Sequence, residues 1–194
     1  MCPKVGDIVS GQDYSLGIPI EWDGAPYPLL RYVLWHQPAG VALEFGVGEG
    51  VSTKFIIGQM PVVGFDSFRG LPEDWRDEFP KGSFDRGGMP PQISGPRFIV
   101  GEFASTVPEF DFSSLGYIGL VHLDADLYSS TATALWGIAP FLKPGCFLVF
   151  DEWHGYPGAQ AHEQRAWREI ADGFEFTWTV VGHCGQEWAI RITE

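Results

Sequence analysis

Apolar positions along this chain fall into two patterns. Short unbroken runs occur at 41–45, 62–66, 97–100, 117–123 and 146–150. Each has the length of a buried strand. Between them, apolar residues recur at helical spacing. In 28–37, Leu29, Leu30, Val33 and Leu34 share one face, and Pro38 and Gly40 end the segment. A second helix is expected over 52–60, stopped by Pro61. A third runs over 128–141, with Ala132, Leu135, Trp136 and Ala139 on its inner side, and a polar fourth over 160–172. The segments 174–181 and 187–192 alternate as a closing antiparallel pair would. Strands alternating with helices and then a hairpin predict a doubly wound α/β fold. Its sheet would be mostly parallel and seven-stranded, in one domain over residues 1–194.

Two stretches lack either period. Residues 1–24 are polar and glycine-rich and read as an irregular arm packed over the active site. Residues 69–96 hold five Gly and five Pro with mixed charge. Structureless loops beyond about 12–15 residues are uncommon in compact domains and are usually lids or binding loops. The segment reads as a mobile lid whose Trp75, Phe79 and Phe84 cover a ligand; a disordered insertion is the alternative.

Composition narrows the function. A hydrophobic content of 45% with 19% charged residues is that of a globular protein. A net charge of −13 argues against nucleic acid or an anionic membrane as partner, and points to small molecules. Cys2, Cys146 and Cys184 are odd in number and widely spaced, which fits a reducing compartment. No stretch reaches the roughly 18 apolar residues of a membrane span, and no signal peptide is evident. A cytoplasmic protein is expected, with homo-oligomerisation left open.

The first apolar run ends in Glu44-x-Gly46-x-Gly48-x-Gly50, followed by Val51-Ser52-Thr53. Glycines allow positive φ and close approach of a ligand to the main chain. The helix after them presents free N–H groups. A nicotinamide-dinucleotide fingerprint would need its third glycine at 51, where Val51 stands. Asp66 ends the second run, 20 residues after Gly46 (66 − 46). An acid there can accept hydrogen bonds from ribose hydroxyls, or else cap a turn. Glu102, Asp124, Asp151 and Glu152 also follow strand ends, where such sheets bind ligands.

The glycine run resembles motif I of class I S-adenosylmethionine-dependent methyltransferases. Four further stretches resemble the macrocin (TylF-type) O-methyltransferases. They are Phe65-Asp66-Ser67-Phe68-Arg69-Gly70-Leu71-Pro72, Gly101-Glu102-Phe103-Ala104-Ser105, His122-Leu123-Asp124-Ala125-Asp126-Leu127-Tyr128, and Phe150-Asp151-Glu152. The resemblance covers about residues 40–155 and implies the Rossmann-like methyltransferase fold, with S-adenosylmethionine as cofactor. By it, the cofactor would meet Glu44, Gly46, Val47, Gly48 and Gly50, then Ser52 and Thr53. It would further meet Asp66, Ser67 and Phe68, then Gly101, Glu102, Phe103 and Asp124. In that family the acid before the glycines faces the ammonium group. The family methylates sugar hydroxyls and needs magnesium, so Asp124, Asp151 and Glu152 become the metal ligands. The family usually has Asp where Glu152 stands.

The chemistry is consistent with this. Magnesium takes hard oxygen ligands, and grouped carboxylates repel one another unless a cation joins them. Lys143, the cation nearest in sequence, lies at the far end of the fifth strand. The base is left open among Asp124, His122 and His154. A buried structural role for His122, and helix capping for Asp124 and Asp151, stay open as well. The readings that remain are a magnesium-assisted O-methyltransferase, a metal-independent methyltransferase on O or N, a nicotinamide oxidoreductase, and a non-catalytic cofactor-binding domain.

Overall fold

The computed structural model describes residues 18–21, 24 and 26–194. The expected arm over 1–24 lies outside the described residues, apart from 18–21 and Gly24. In chain order the elements are β1 (Ile18–Pro19), α1 (Pro28–Trp35), β2 (Val41–Phe45), α2 (Val51–Ile57), β3 (Val62–Asp66) and β4 (Arg97–Val100). Then come α3 (Phe103–Glu109), β5 (Ile118–Leu123), α4 (Tyr128–Ile138), β6 (Phe147–Phe150), α5 (Glu163–Phe174), β7 (Trp178–Cys184) and β8 (Glu187–Ile192).

The strands form one sheet in the order β1-β7-β8-β6-β5-β2-β3-β4. Strands β2 to β6 run parallel, and β8 is antiparallel to both β6 and β7. The mostly parallel sheet with a C-terminal hairpin is therefore present. It carries one strand more than expected, the two-residue β1 on the edge beside β7. Its proline is tolerated because an edge strand can spare an N–H. The chain leaves β2 towards β3 and β4 on one side, and β5 and β6 fill the other. The switch point thus lies between β2 and β5.

One face of the sheet buries Phe45, Phe65, Val121 and Phe150 under α3, α4 and α5, with Leu135, Trp167 and Ile170 in that layer. The other face buries Ala42, Leu120 and Val149 against Leu29, Leu30 and Val33 of α1 and Ile56 of α2. Each fully buried Leu, Ile or Phe contributes about 1.5–3 kcal/mol, so the two layers hold the strand ends rigidly in register. Among the described residues no helix is long and apolar enough to cross a membrane.

Boundaries moved where local chemistry competes with periodicity. The second helix stops at Ile57, three residues before Met60, because Gly58 ends it. α4 ends at Ile138 and passes into a 3-10 turn over Ala139–Phe141, since Pro140 has no N–H to continue the ladder. Trp136, expected inside, is 52% exposed and packs its ring at a tilt against Phe174, 5.8 Å away. The polar helix begins at Glu163 and runs to Phe174, so the strand after it starts at Trp178 and not at 174. It buries Trp167 and Ile170 as an amphipathic helix. α3 was not foreseen.

Candidate active site

The carboxyl ends of the central strands are tied to one another by backbone bonds that continue past the strands. Asp124 N–H donates to the Phe45 carbonyl at 2.9 Å, Asp151 N–H to Leu123 at 2.9 Å, and Gly46 N–H to Phe65 at 3.0 Å. These bonds line up Gly46, Asp66, Asp124 and Asp151 at one end of the sheet. They border a cavity of about 780 Å³. That volume suits a cofactor or drug-sized ligand.

On one side of the cavity is the glycine turn. Gly46, Gly48 and Gly50 all have positive φ, at 90°, 51° and 72°. A methyl group on Gly46 would stand 1.7 Å from the Asp124 carbonyl oxygen. One on Gly48 would meet nothing within 4 Å and would project into open space. Asp66 stitches the turn: Oδ2 accepts from Val47 N–H at 2.9 Å and Gly48 N–H at 2.8 Å, and Oδ1 from Phe68 N–H at 2.7 Å. Gly46, Val47, Gly48, Asp66 and Ser67 line the cavity, and across it so do Glu102 and Phe103.

Other expected contacts are elsewhere. Glu44 is fully buried beneath the turn, and its two oxygens accept the hydroxyls of Ser52 at 2.6 Å and Thr53 at 2.5 Å. His122 Nδ1 lies 3.3 Å from the same carboxylate. Glu44, Ser52 and Thr53 therefore form a closed polar knot between β2, α2 and β5 and do not border the cavity, which corrects their placement as ligand contacts. Gly50 faces Ile93 and Pro91 of the 69–96 segment. Phe68 is 1% exposed and stands edge-on to Phe98 in the interior, and Gly101 abuts Thr106.

On the other side is an acid cluster. Ligand oxygens of Asp124, Asp126 and Glu152 all lie within 4.8 Å of one another, and atoms of His122, Asp124 and Asp151 make a second such group. Asp126 joins through a left-handed backbone, φ 59°, that turns its carboxylate back toward the strand ends. Glu163 is fully buried behind the cluster, where its Oε2 accepts the Glu152 N–H at 3.0 Å. Burial and then Asp151 raise Asp124 well above the usual carboxylate range, against the pull of His122. The same burial and neighbour raise Glu152. Burial and Asp151 push Asp126 up to about 7, with Arg76 opposing. His122 has the reverse balance. Burial disfavours its charge, but Glu44, Asp124 and Asp151 outweigh that and hold it at about 9.

His122 and Arg76 are therefore cations beside acids for which the sequence offered no nearby partner. The Oε2 of Glu152 is buried without a hydrogen bond, an orphan acceptor aimed at the kind of site a hard cation fills. The oxygen-only group of Asp124, Asp126 and Glu152 fits magnesium, and the longer Glu152 still reaches it, whereas Asp151 falls in the other group, with Asp124 and His122. His154 is corrected. It stands edge-on to Trp188 away from the cavity, and burial with nearby His183 lowers it to about 4.

The 69–96 segment crosses the cavity mouth. It is folded, with isolated bridges Arg69 to Asp85 and Arg76 to Phe79, and is not a disordered insertion. Its contacts with neighbouring elements include three side-chain fastenings. Arg86 pairs with Glu49 at 2.7 Å, Glu73 accepts the Ser129 hydroxyl at 2.5 Å, and Trp75 stands edge-on to Tyr156 at 5.8 Å. Asp126 was visible as the second acid of Asp124-Ala125-Asp126 but went unused. Tyr27, whose hydroxyl reaches Asp124 Oδ2 at 3.4 Å, and Arg76 carry no local sequence signal, since only the loops' folding brings them here.

Residues 43–153 match the family described as "Methyltransferase domain". A curated relative from Streptomyces olivaceus, 8-demethyl-8-(2,3-dimethoxy-alpha-L-rhamnosyl)-tetracenomycin-C 4'-O-methyltransferase, is 29% identical over 144 residues. The match covers 59% of this chain and 53% of the relative, so the chain spans about half the relative's length. Among solved structures, the calicheamicin methyltransferase CalS11 superposes with a TM-score of 0.66 at 19% identity, covering 95% of this chain and 98% of that one. An O-methyltransferase from Bacillus cereus in complex with SAH gives 0.60 at 15% identity, over 89% and 83%. At these identities the structural likenesses establish the fold.

Proposed function

The chain belongs to the methyltransferase domain family, and on that premise we propose that it transfers a methyl group from S-adenosylmethionine to a hydroxyl of a small molecule. A sugar of a natural product is the acceptor class that the curated relative's name supports. The observation that carries the reading is that the glycine turn and the acid cluster border one cavity.

The turn around Gly48 receives the cofactor, and the open side of Gly48 leaves room for it. Asp66 already holds the turn through three N–H groups, and its remaining lone pairs face the cavity for ribose hydroxyls. Asp124 and Glu152 would hold magnesium, with Asp151 beside Asp124 on the histidine side; the ion when bound makes an acceptor hydroxyl more acidic and orients it. Asp126 is the base this geometry favours. It lines the cavity, and burial with Asp151 beside it raises its affinity for a proton above that of an ordinary carboxylate. His122 stays beneath the floor as a fixed positive charge, tied to Glu44, and keeps the acids from repelling one another apart. The 69–96 segment excludes water, and aligning acceptor oxygen with the methyl carbon can supply about 7–11 kcal/mol.

A metal-independent variant of the same transfer is the second reading. It is favoured by His122 and Arg76, which already offset part of the cluster's charge. Calorimetry with S-adenosylhomocysteine and, separately, NAD tests the cofactor. NAD binding without S-adenosylhomocysteine binding would sink the proposal. Turnover in EDTA, then with magnesium restored, separates the two readings.

A further inference from the structure

Arg76 lines the cavity wall, and the transfer proposed above uses nothing of it but its charge. Its guanidinium carbon lies 3.5 Å from the centre of the Trp75 ring and 4.2 Å from that of Tyr156. The two rings meet at 78° and make a corner around it. π-faces attract the cation yet leave the N–H groups in its plane without acceptors. Its Nε is buried without a hydrogen-bond partner. Among the described residues no oxygen accepts from Arg76, and no carboxylate comes within ion-pairing distance. The acids of the cluster are its neighbours in the same cavity, yet the aromatic corner holds it off them. A guanidinium meant only to neutralise the cluster would have closed onto it. One pinned in place with free donors is preorganised for a ligand.

We infer that Arg76 anchors the methyl acceptor by binding an anionic oxygen group, a phosphate or a carboxylate, carried on the small molecule whose hydroxyl lies at the acid cluster. This rests on the reading of the cavity as a methyltransferase site, and it adds a substrate class: acceptors bearing a negative charge. The planar fork matches both groups bidentately, which a lysine would not. When a cation occupies the cluster, the acids no longer compete for Arg76, and its donors are left to the acceptor. The corner also explains why a segment so rich in Gly and Pro carries an aromatic pair at 75 and 79 next to this residue: Phe79 closes the outer side at 5.3 Å.

The test titrates the protein with inorganic phosphate and, separately, acetate by calorimetry, in magnesium chloride and S-adenosylhomocysteine. Arg76→Gln and Arg76→Met are measured alongside. At least one anion should bind the native protein, and both variants should weaken it by about tenfold or more while S-adenosylhomocysteine affinity holds. Binding of phosphate alone assigns a phosphate-bearing acceptor, binding of acetate alone a carboxylate-bearing one, and binding of both a shared anion site. No binding of either, or equal affinity in the variants, overturns the proposal. Equal affinity would mean the anion sits on the metal. Should Gln disturb folding, seen as lost S-adenosylhomocysteine binding, Met keeps the apolar stem in the aromatic corner and gives the answer. If the native protein bound anions through Arg76 but never bound S-adenosylhomocysteine, the cofactor reading would fail and the anion site would stand.

Discussion

The α-carbon of Gly46 lies against the carbonyl of Asp124, so that a side chain on the first would stand 1.7 Å from the oxygen of the second. The glycine turn and the acid cluster are thus two faces of one contact. Gly46→Ala should cost about 2–5 kcal/mol, from left-handed strain and overpacking together. It should damage both cofactor and metal binding. Gly48→Ala has the strain but not the clash, so it should cost about 1 kcal/mol in stability while still weakening S-adenosylhomocysteine. Thermal unfolding and calorimetry on the pair check this; equal losses in both variants would refute the contrast.

Asp126→Asn should keep S-adenosylhomocysteine affinity and lower turnover by about 10²–10⁴, the usual worth of a general base. Asp124→Asn should also lose turnover but, unlike Asp126→Asn, should lose most magnesium binding. Metal titration of the two variants beside a methyl-transfer assay decides between base and ligand. Turnover of Asp126→Asn within a few-fold of the native enzyme would remove it as the base.

Glu44→Gln should unfold the protein more readily, by about 1–3 kcal/mol, because it removes the charge that holds the Nδ1 side of buried His122 and leaves only the acids on its other side, Asp151 at 3.9 Å. At a temperature where the variant stays folded, its S-adenosylhomocysteine affinity should change little, since Glu44 is sealed beneath the turn. A selective loss of affinity with unchanged melting would return Glu44 to the ligand.

Glu187 accepts the Leu29 N–H at the start of α1 at 2.9 Å, and burial, with Asp151 adding, lifts it to about 7 against the Leu29 bond and His122. The folded state then holds this proton more tightly than the unfolded one. The corresponding stability is fully present below the ordinary glutamate range and is lost as pH rises through 7. Glu187→Gln keeps an acceptor and removes the titration. Its melting temperature should fall less than the native protein's between pH 4.5 and pH 8, and parallel curves would contradict the assignment.

Much of this architecture was readable. Short apolar runs such as Ile118 to Leu123, interrupted only by His122, read as strands buried on both faces, and acids just past such runs mark the ligand edge of the sheet. What escaped depends on contacts between distant segments. Glu44 looked like a ligand contact because it precedes the glycines, but α2 sets two hydroxyls against it and β5 adds an imidazole. His154 was one of three candidate bases, but the chain turns it toward Trp188. Asp126 was hidden because it lies past the end of β5, in the turn before α4, where no period fixes a side chain's direction, and its left-handed φ of 59° sets where the carboxylate points. Arg76 owes its place to Tyr156, 80 residues on (156 − 76), and no period in the sequence reports that.

The three fastenings of the 69–96 segment have a kinetic consequence. Glu49 follows β2, Ser129 begins α4, and Tyr156 follows β6, so the segment is moored on both sides of the switch point. Each mooring is weak by itself, being exposed or aromatic, so the segment should open when they release and ligand exchange should follow that opening. Glu49→Ala, Ser129→Ala and Tyr156→Ala, three changes scattered across the chain with no shared chemistry, would then converge on one observable: the dissociation rate of whatever the cavity holds.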